Sequence, residues 1–293
     1  MSAAQVLLRW LLFPGGVGAL LLGVLARGSA AWLGARLRKR PAPPVWEPLM
    51  DLVHLARKGA PEAGSPAVAW VGLVAAAGLM WAASLLPWSW GKGHPEGDFL
   101  CYVLILALPA LARLLAAGFS GSVEAAWGAR RQAALEVSRL LPLLWGTSVL
   151  PLATRQLRLA PDAAVTPVGT AALCLAAALF LATLPWPLWD HDRFQAPLAG
   201  VGGRWLALYR AVEALELTVQ VGLVGAALRA AGLFPPEHGW AAPLVALVGA
   251  IAVLAGFEAS AQELPTEAAV RRYTRWLVPA AFLAMLLALW AGR

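Results

Sequence analysis

The sequence predicts an all-α polytopic membrane protein with about eight transmembrane helices and both termini outside. Three observations carry this prediction. Sixty per cent of the 293 residues are hydrophobic and only 13% are charged, about half the charged share of a soluble domain. The apolar residues gather into runs near the roughly 20 residues that a helix needs to cross a bilayer. Basic residues crowd into alternate loops, as the positive-inside bias requires. No long segment is polar enough to be a soluble domain, so 1–293 reads as a single transmembrane domain.

The runs fall near 6–26, 67–87, 99–118, 140–154, 164–186, 205–231, 241–258 and 276–291. The first has only Arg9 ahead of it and no small-residue cleavage pattern before the basic loop, so it reads as a retained span. The fourth is short and flanked by Arg139 and Arg155. Pro87, Pro109, Pro142, Pro151, Pro185 and Pro279 lie in or beside spans, where each kinks or ends a helix. The first loop holds Arg27, Arg36, Arg38, Lys39, Arg40, Arg57 and Lys58. Loop three has Arg130, Arg131 and Arg139, loop five Arg193 and Arg204, and loop seven Arg271, Arg272 and Arg275. The other loops are nearly bare of basic residues. Odd loops are therefore expected on the cytoplasmic side of a cytoplasmic (inner) membrane, with both termini opposite. The net charge of +7 sits in these short loops, a placement that fits membrane orientation better than nucleic-acid binding.

The same composition excludes whole classes of chemistry. Two cysteines, Cys101 and Cys174, lie in apolar runs, too few for an iron–sulfur cluster or a structural zinc site. His54, His94, His191 and His238 fall near span ends or in loops, so no pair of facing spans offers axial ligands to a haem. No catalytic residue, metal site or chain-held cofactor is expected, and electrons would not pass through this polypeptide.

Residues 38–59 stand out within the first loop. A basic cluster meets Pro41-Ala42-Pro43-Pro44, and then Val45, Leu49, Leu52, Val53 and Leu55 recur at helical spacing among charged residues. This predicts a cytoplasmic amphipathic helix at the headgroup layer, given a fixed direction by the prolines and suited to docking a soluble partner.

The stretch Arg40-Pro-Ala-Pro-Pro-Val-Trp-Glu-Pro-Leu-Met-Asp-Leu-Val-His-Leu55 resembles the R-x-G-P-P-x-x-Q-P-x-x-D-x-x-K-L segment of the respiratory complex I subunit 1 family. It is nearest the branch found in membrane-bound nickel–iron hydrogenases and formate hydrogenlyase. Arg40, Pro43, Pro44, Pro48, Asp51 and Leu55 match, whereas Ala42, Glu47 and His54 replace the usual residues. Ala117-Gly118-Phe119-Ser120-Gly121-Ser122, with Gly128-Ala129-Arg130 after it, is similar to the family's third loop. Arg271-Arg272-Tyr273 and Trp276 to Pro279 resemble the start of its last span. Glu213 matches a family glutamate in the sixth span, and Glu136 lies about three residues early for another. In the fifth loop Asp190 and Asp192 stand where paired glutamates are usual, Pro187 replaces an aspartate, and Ala199-Gly200-Val201-Gly202-Gly203 keeps only the glycine of a T-E-Y-S-G turn.

The resemblance implies a membrane subunit, non-catalytic in itself, of an energy-converting oxidoreductase of the NADH:quinone or membrane-bound hydrogenase type. It would anchor a peripheral electron-transfer arm and couple it to proton or ion translocation. Implied partners are iron–sulfur and hydrogenase-like or quinone-reducing subunits, antiporter-like membrane subunits and the lipid bilayer, with a quinone at the interface with the arm. Arg40, Pro43, Pro44, Asp51, Arg130 and Arg131 would dock the arm, and Glu136, Glu213, Glu216, Asp190 and Asp192 are proton-path candidates. Carboxylates inside apolar helices are costly and mark ion paths by default. Glu213 and Glu216, three apart, share a helix face, and Arg210 is spaced to neutralise Glu213 as a structural pair. Asp190 and Asp192 read equally as a solvated loop, and Glu258 and Glu263 as solvent-facing. Two other functions stay open: a stand-alone secondary transporter, and a scaffold that has lost its acidic path. The absence of an internal repeat weighs against the first.

Overall fold

Helix starts are written in the sequence by hydroxyl–proline pairs. Ser65 and Thr166 accept hydrogen bonds from the backbone amides of Ala67 and Gly169, and Pro66 and Pro167 follow in the first turn, where no amide is needed. Ser122 caps its helix through the amide of Ala125. The computed structural model describes residues 7–8, 10–12, 15–59, 65–86, 99–156, 165–184, 198, 201–235, 238–260 and 270–291. Among these the helices are α1 (Gly16–Leu37), α2 (Glu47–Arg57), α3 (Pro66–Leu85), α4 (Phe99–Phe119), α5 (Val123–Thr154), α6 (Pro167–Ala182), α7 (Gly203–Ala230), α8 (Ala241–Ser260) and α9 (Val278–Ala291). A π-helical turn, Tyr273–Leu277, leads into α9. The described residues form no strand.

Seven segments are long and apolar enough to cross a membrane: α1, α3, α4, α5, α7, α8 and Val270–Ala291. The 16-residue α6 is apolar but shorter, about 24 Å long at 1.5 Å per residue. The all-α polytopic fold is therefore as the sequence predicts, with eight apolar helices in the predicted order.

Two spans differ markedly from those predicted. The first helix of membrane-spanning length occupies Gly16–Leu37, not 6–26, and the apolar run that composition joins contains the helix-breaking sequence Pro14-Gly15-Gly16. Arg27 and Arg36, read from sequence as loop residues, are consequently helical. The fourth span, expected at 140–154, is the last part of the 32-residue α5. At about 48 Å, α5 exceeds the roughly 30 Å hydrocarbon core, which leaves its charged first turns, with Glu124 and Arg130, room to project. Arg139, expected in a loop, is therefore buried inside α5.

Burial is distributed very unevenly. In α7, 83% of the most apolar window is buried, against 17% in the last span, so α7 is the hub around which the others pack. Thr218 donates to the carbonyl of Ala19 in α1 (2.6 Å), Tyr209 to that of Val68 in α3 (2.8 Å), and Thr170 of α6 to that of Ala231 (3.3 Å). The outer helices turn Val74, Leu104, Val248, Leu283 and similar residues outward, as a lipid-facing surface requires.

Two glycines hold α2 against the bundle. A side chain at Gly28 of α1 would put its Cβ 1.8 Å from the carbonyl oxygen of Val45, so only glycine lets the proline-rich segment pass. Gly203, at φ +55°, opens α7 in a left-handed conformation, and a Cβ there would lie 2.0 Å from the oxygen of Gly59. The fifth-loop glycine thus serves the close approach of α7 to the end of α2.

Candidate functional site

α7 carries its polar residues along one stripe, because positions 209, 213, 216 and 220 recur every three or four residues. Neighbouring helices meet that stripe with arginines, and two distinct clusters result.

The inner cluster is sealed. Glu216 is fully buried and accepts from Arg113 Nη1 of α4 (3.2 Å) and from Arg139 Nη2 of α5. Glu136 of α5 accepts from Arg113 Nη2, from Arg139 Nε (3.1 Å) and from Gln132 Nε2 (2.8 Å). Arg139 Nη1 reaches the carbonyl of Thr183 at the end of α6 (3.4 Å). Two guanidiniums and two carboxylates alternate, so the group is neutral, and it ties α4, α5, α6 and α7 together. Burying four charges is tolerable only with such close pairing, and removing one partner leaves an uncompensated charge. Tyr273 is buried where the π turn packs against α5.

The outer cluster is open. Glu213 accepts from Arg27 Nη1 of α1 at 2.9 Å, and Arg210 lies 3.9 Å from the same oxygen. The side chains of Arg27, Glu213 and Arg210 retain 17%, 22% and 26% exposure, against 0% for Glu216. Sequence spacing predicts Arg210 as the partner of Glu213, but the shorter contact is with Arg27, which the predicted first span leaves in a loop. Glu213 and Glu216 do share a stripe, yet their partners differ completely.

Arg27 and Arg210 open onto a cavity of about 570 Å³ between α1, α2, α7 and α8. Glu47, Pro48, Asp51, Leu52, His54 and Leu55 of α2 and Lys58 just after it line the cavity, facing apolar Val24, Leu206 and Leu254, and Glu258 of α8 joins the lining. Glu258 is thus half-buried in a cavity wall. The opposite face of α2 exposes Trp46, Met50 and Val53. Pro48, Leu52 and Leu55 are the half-buried side of this helix and also line the cavity, whereas Glu47, Asp51 and His54 stay exposed at its rim, so α2 is amphipathic with its apolar stripe toward the bundle.

Of the docking candidates, Arg40, Pro44, Asp51 and Arg130 are exposed, and Pro43 and Asp51 also line the cavity. The side chain of Arg131 is outside the described residues, as are Asp190, Asp192 and Glu263. Among the described residues no group of His, Cys, Asp and Glu could hold a metal ion, and Cys101 and Cys174 are free thiols. Sequence reasoning missed Arg113 and misplaced Arg139. The first had a signal, being the one charged residue in the apolar run 99–118. The second did not, because an arginine at the edge of an apolar run looks the same whether it faces water or a buried carboxylate.

Fold and site together define a polytopic α-helical membrane protein with an ionisable core and a cavity beside the amphipathic helix α2. Over almost its whole length the chain is similar to a chain in the structure of the membrane-bound sulfane sulfur reductase, an archaeal respiratory membrane complex. The match covers 97% of this chain and 99% of that one, with a TM-score of 0.78 and 18% sequence identity. No family model and no curated protein matches the sequence.

Proposed function

We propose that the chain is a membrane subunit of a complex-I-like, energy-converting respiratory complex, carrying no electrons itself and joining a peripheral electron-transfer arm to ion-translocating membrane subunits. The observation that carries this reading is the fold shared end to end with a chain of a respiratory membrane complex, together with a cavity whose wall is the segment 40–55. The cavity lies beside α2, which follows the basic run Arg36, Arg38, Lys39 and Arg40, and positive-inside bias puts that face in the cytoplasm. Multi-pass insertion in the cytoplasmic membrane, with both termini outside, belongs to the same reading.

In this reading Glu213 is the carboxylate that responds to the arm. It pairs with Arg27 and Arg210, which line the cavity, so a charge arriving there competes for both arginines. Glu136 and Glu216, fully committed to two arginines, maintain the core and do not exchange protons freely. The cavity has the size of a small-ligand site, with donors at Arg27, His54, Lys58 and Arg210 and apolar walls at Val24, Leu206 and Leu254. That combination suits the ring of a quinone, which needs donors at its carbonyls and flat apolar contacts.

Two measurements test the proposal. Purification in mild detergent should bring down an iron–sulfur subunit with a hydrogenase-like or quinone-reducing large subunit, and antiporter-like membrane subunits. Glu213→Gln should abolish coupled ion movement with the complex still assembled. A chain that purifies alone and transports a solute in liposomes would instead be a secondary transporter.

A further inference from the structure

We propose that Gln220 anchors an internal water site in the middle of the bundle, one helical turn beyond the sealed charge cluster. Gln220 lies four residues after Glu216 on the same stripe of α7 and has no solvent exposure. Neither Nε2 nor Oε1 of its carboxamide meets a hydrogen-bond partner among the described residues. Arg113 Nε, within the cluster, is in the same condition. Buried amides are almost always satisfied by protein or by ordered water.

The packing of α7 commits the amide to the interior. Thr218 is fastened to the carbonyl of Ala19 on one side of Gln220. On the other side, Gly222 sits so close to Leu86 that a Cβ would lie 2.3 Å from its methyl. The helix therefore cannot roll to bring the carboxamide out of the core. The nearest polar group on the stripe, Glu216, turns both oxygens to arginines and makes no hydrogen bond with the amide.

The ligand class follows from the chemistry. A carboxamide presents two donors and an acceptor side by side, and water offers both complements in the smallest volume. A cation is disfavoured by the amide hydrogens and has no net charge to attract it, because the adjacent cluster is neutral. Arg113 Nε is the one guanidinium nitrogen of the cluster with no protein partner among the described residues, a second buried donor that internal water would satisfy.

The test is a cryo-electron microscopy map of the full chain in its native complex, at a resolution where internal waters are visible. Density within hydrogen-bond distance of the Gln220 carboxamide is expected. A map that resolves other internal waters and leaves that position empty overturns the proposal. The Gln220→Leu variant gives a second readout. If water is bound there, its density disappears and the melting temperature is unchanged or lower. A rise in melting temperature would mean that a dry, unpaired amide had been removed, and would also overturn the proposal. The outcome is independent of the respiratory reading, because it concerns only how one buried amide is satisfied.

Discussion

Glu216 and Glu213 stand three residues apart on one helix, and nothing in their immediate sequence separates them. Their surroundings do. Glu216 is enclosed by Arg113, Arg139 and Glu136 in a neutral, sealed group joining four helices. Glu213 is partly exposed and pairs with Arg27 and, at longer range, Arg210, the two arginines that line the cavity. A buried, balanced cluster resists any change of charge, because each member would strand a partner in low dielectric. A partly hydrated, unbalanced one is free to respond. The comparison sets a core that ties four helices together against a pair at the cavity's edge, to which the proposed function gives the responsive part.

The sharpest way to break that contrast is Glu216→Ala. It should cost about 3–5 kcal/mol by leaving Arg113 and Arg139 with a single counter-charge, read as a large fall in melting temperature or loss of assembly. A variant that melts like the parent would show that the inner cluster is open to water and not sealed. The paired change Arg113→Leu with Glu216→Leu should cost less than the sum of the two single changes, since it removes charge in balanced amounts. A double-mutant cycle in detergent measures that coupling.

Next in size is Gly28→Val. Overpacking where α1 meets Val45 should destabilise by about 1–3 kcal/mol and displace α2 from the cavity, which protease sensitivity of the first loop would report. Glu213→Gln should change stability by only about 0–1 kcal/mol, as befits a partly exposed ion pair, while coupled ion movement is lost. Equal loss of stability in Glu213→Gln and Glu216→Ala would erase the distinction between the clusters. The smallest effect is expected from Met50→Glu on the outward face of α2. It should loosen the helix's attachment to lipid or partner with little change in melting temperature, measured by accessibility labelling of that face.

Much of this architecture is legible in the residues. Runs of apolar sequence locate all eight apolar helices, and hydroxyl–proline pairs mark where α3 and α6 begin. Segment 38–59 announces an amphipathic helix by periodicity alone. The first span is misplaced because hydropathy sums over Pro14-Gly15-Gly16 without registering that it stops a helix. That one shift hides Arg27 as the partner of Glu213. Glu136, Glu213 and Glu216 are recognisable as carboxylates out of place in apolar surroundings, and the same test applied to cations finds Arg113.

By itself, then, the sequence determined that the chain lives in a membrane, the order of its apolar helices, and which residues are too polar for their neighbourhood, since these depend on local composition and period. Only the tertiary structure decided which arginine answers which glutamate. Arg113 and Arg139 meet Glu216 across 103 and 77 residues of chain, and Arg27 meets Glu213 across 186. Such pairings are set by how helices pack around α7. That packing gives two neighbouring glutamates opposite degrees of burial, and with it their different parts in the protein.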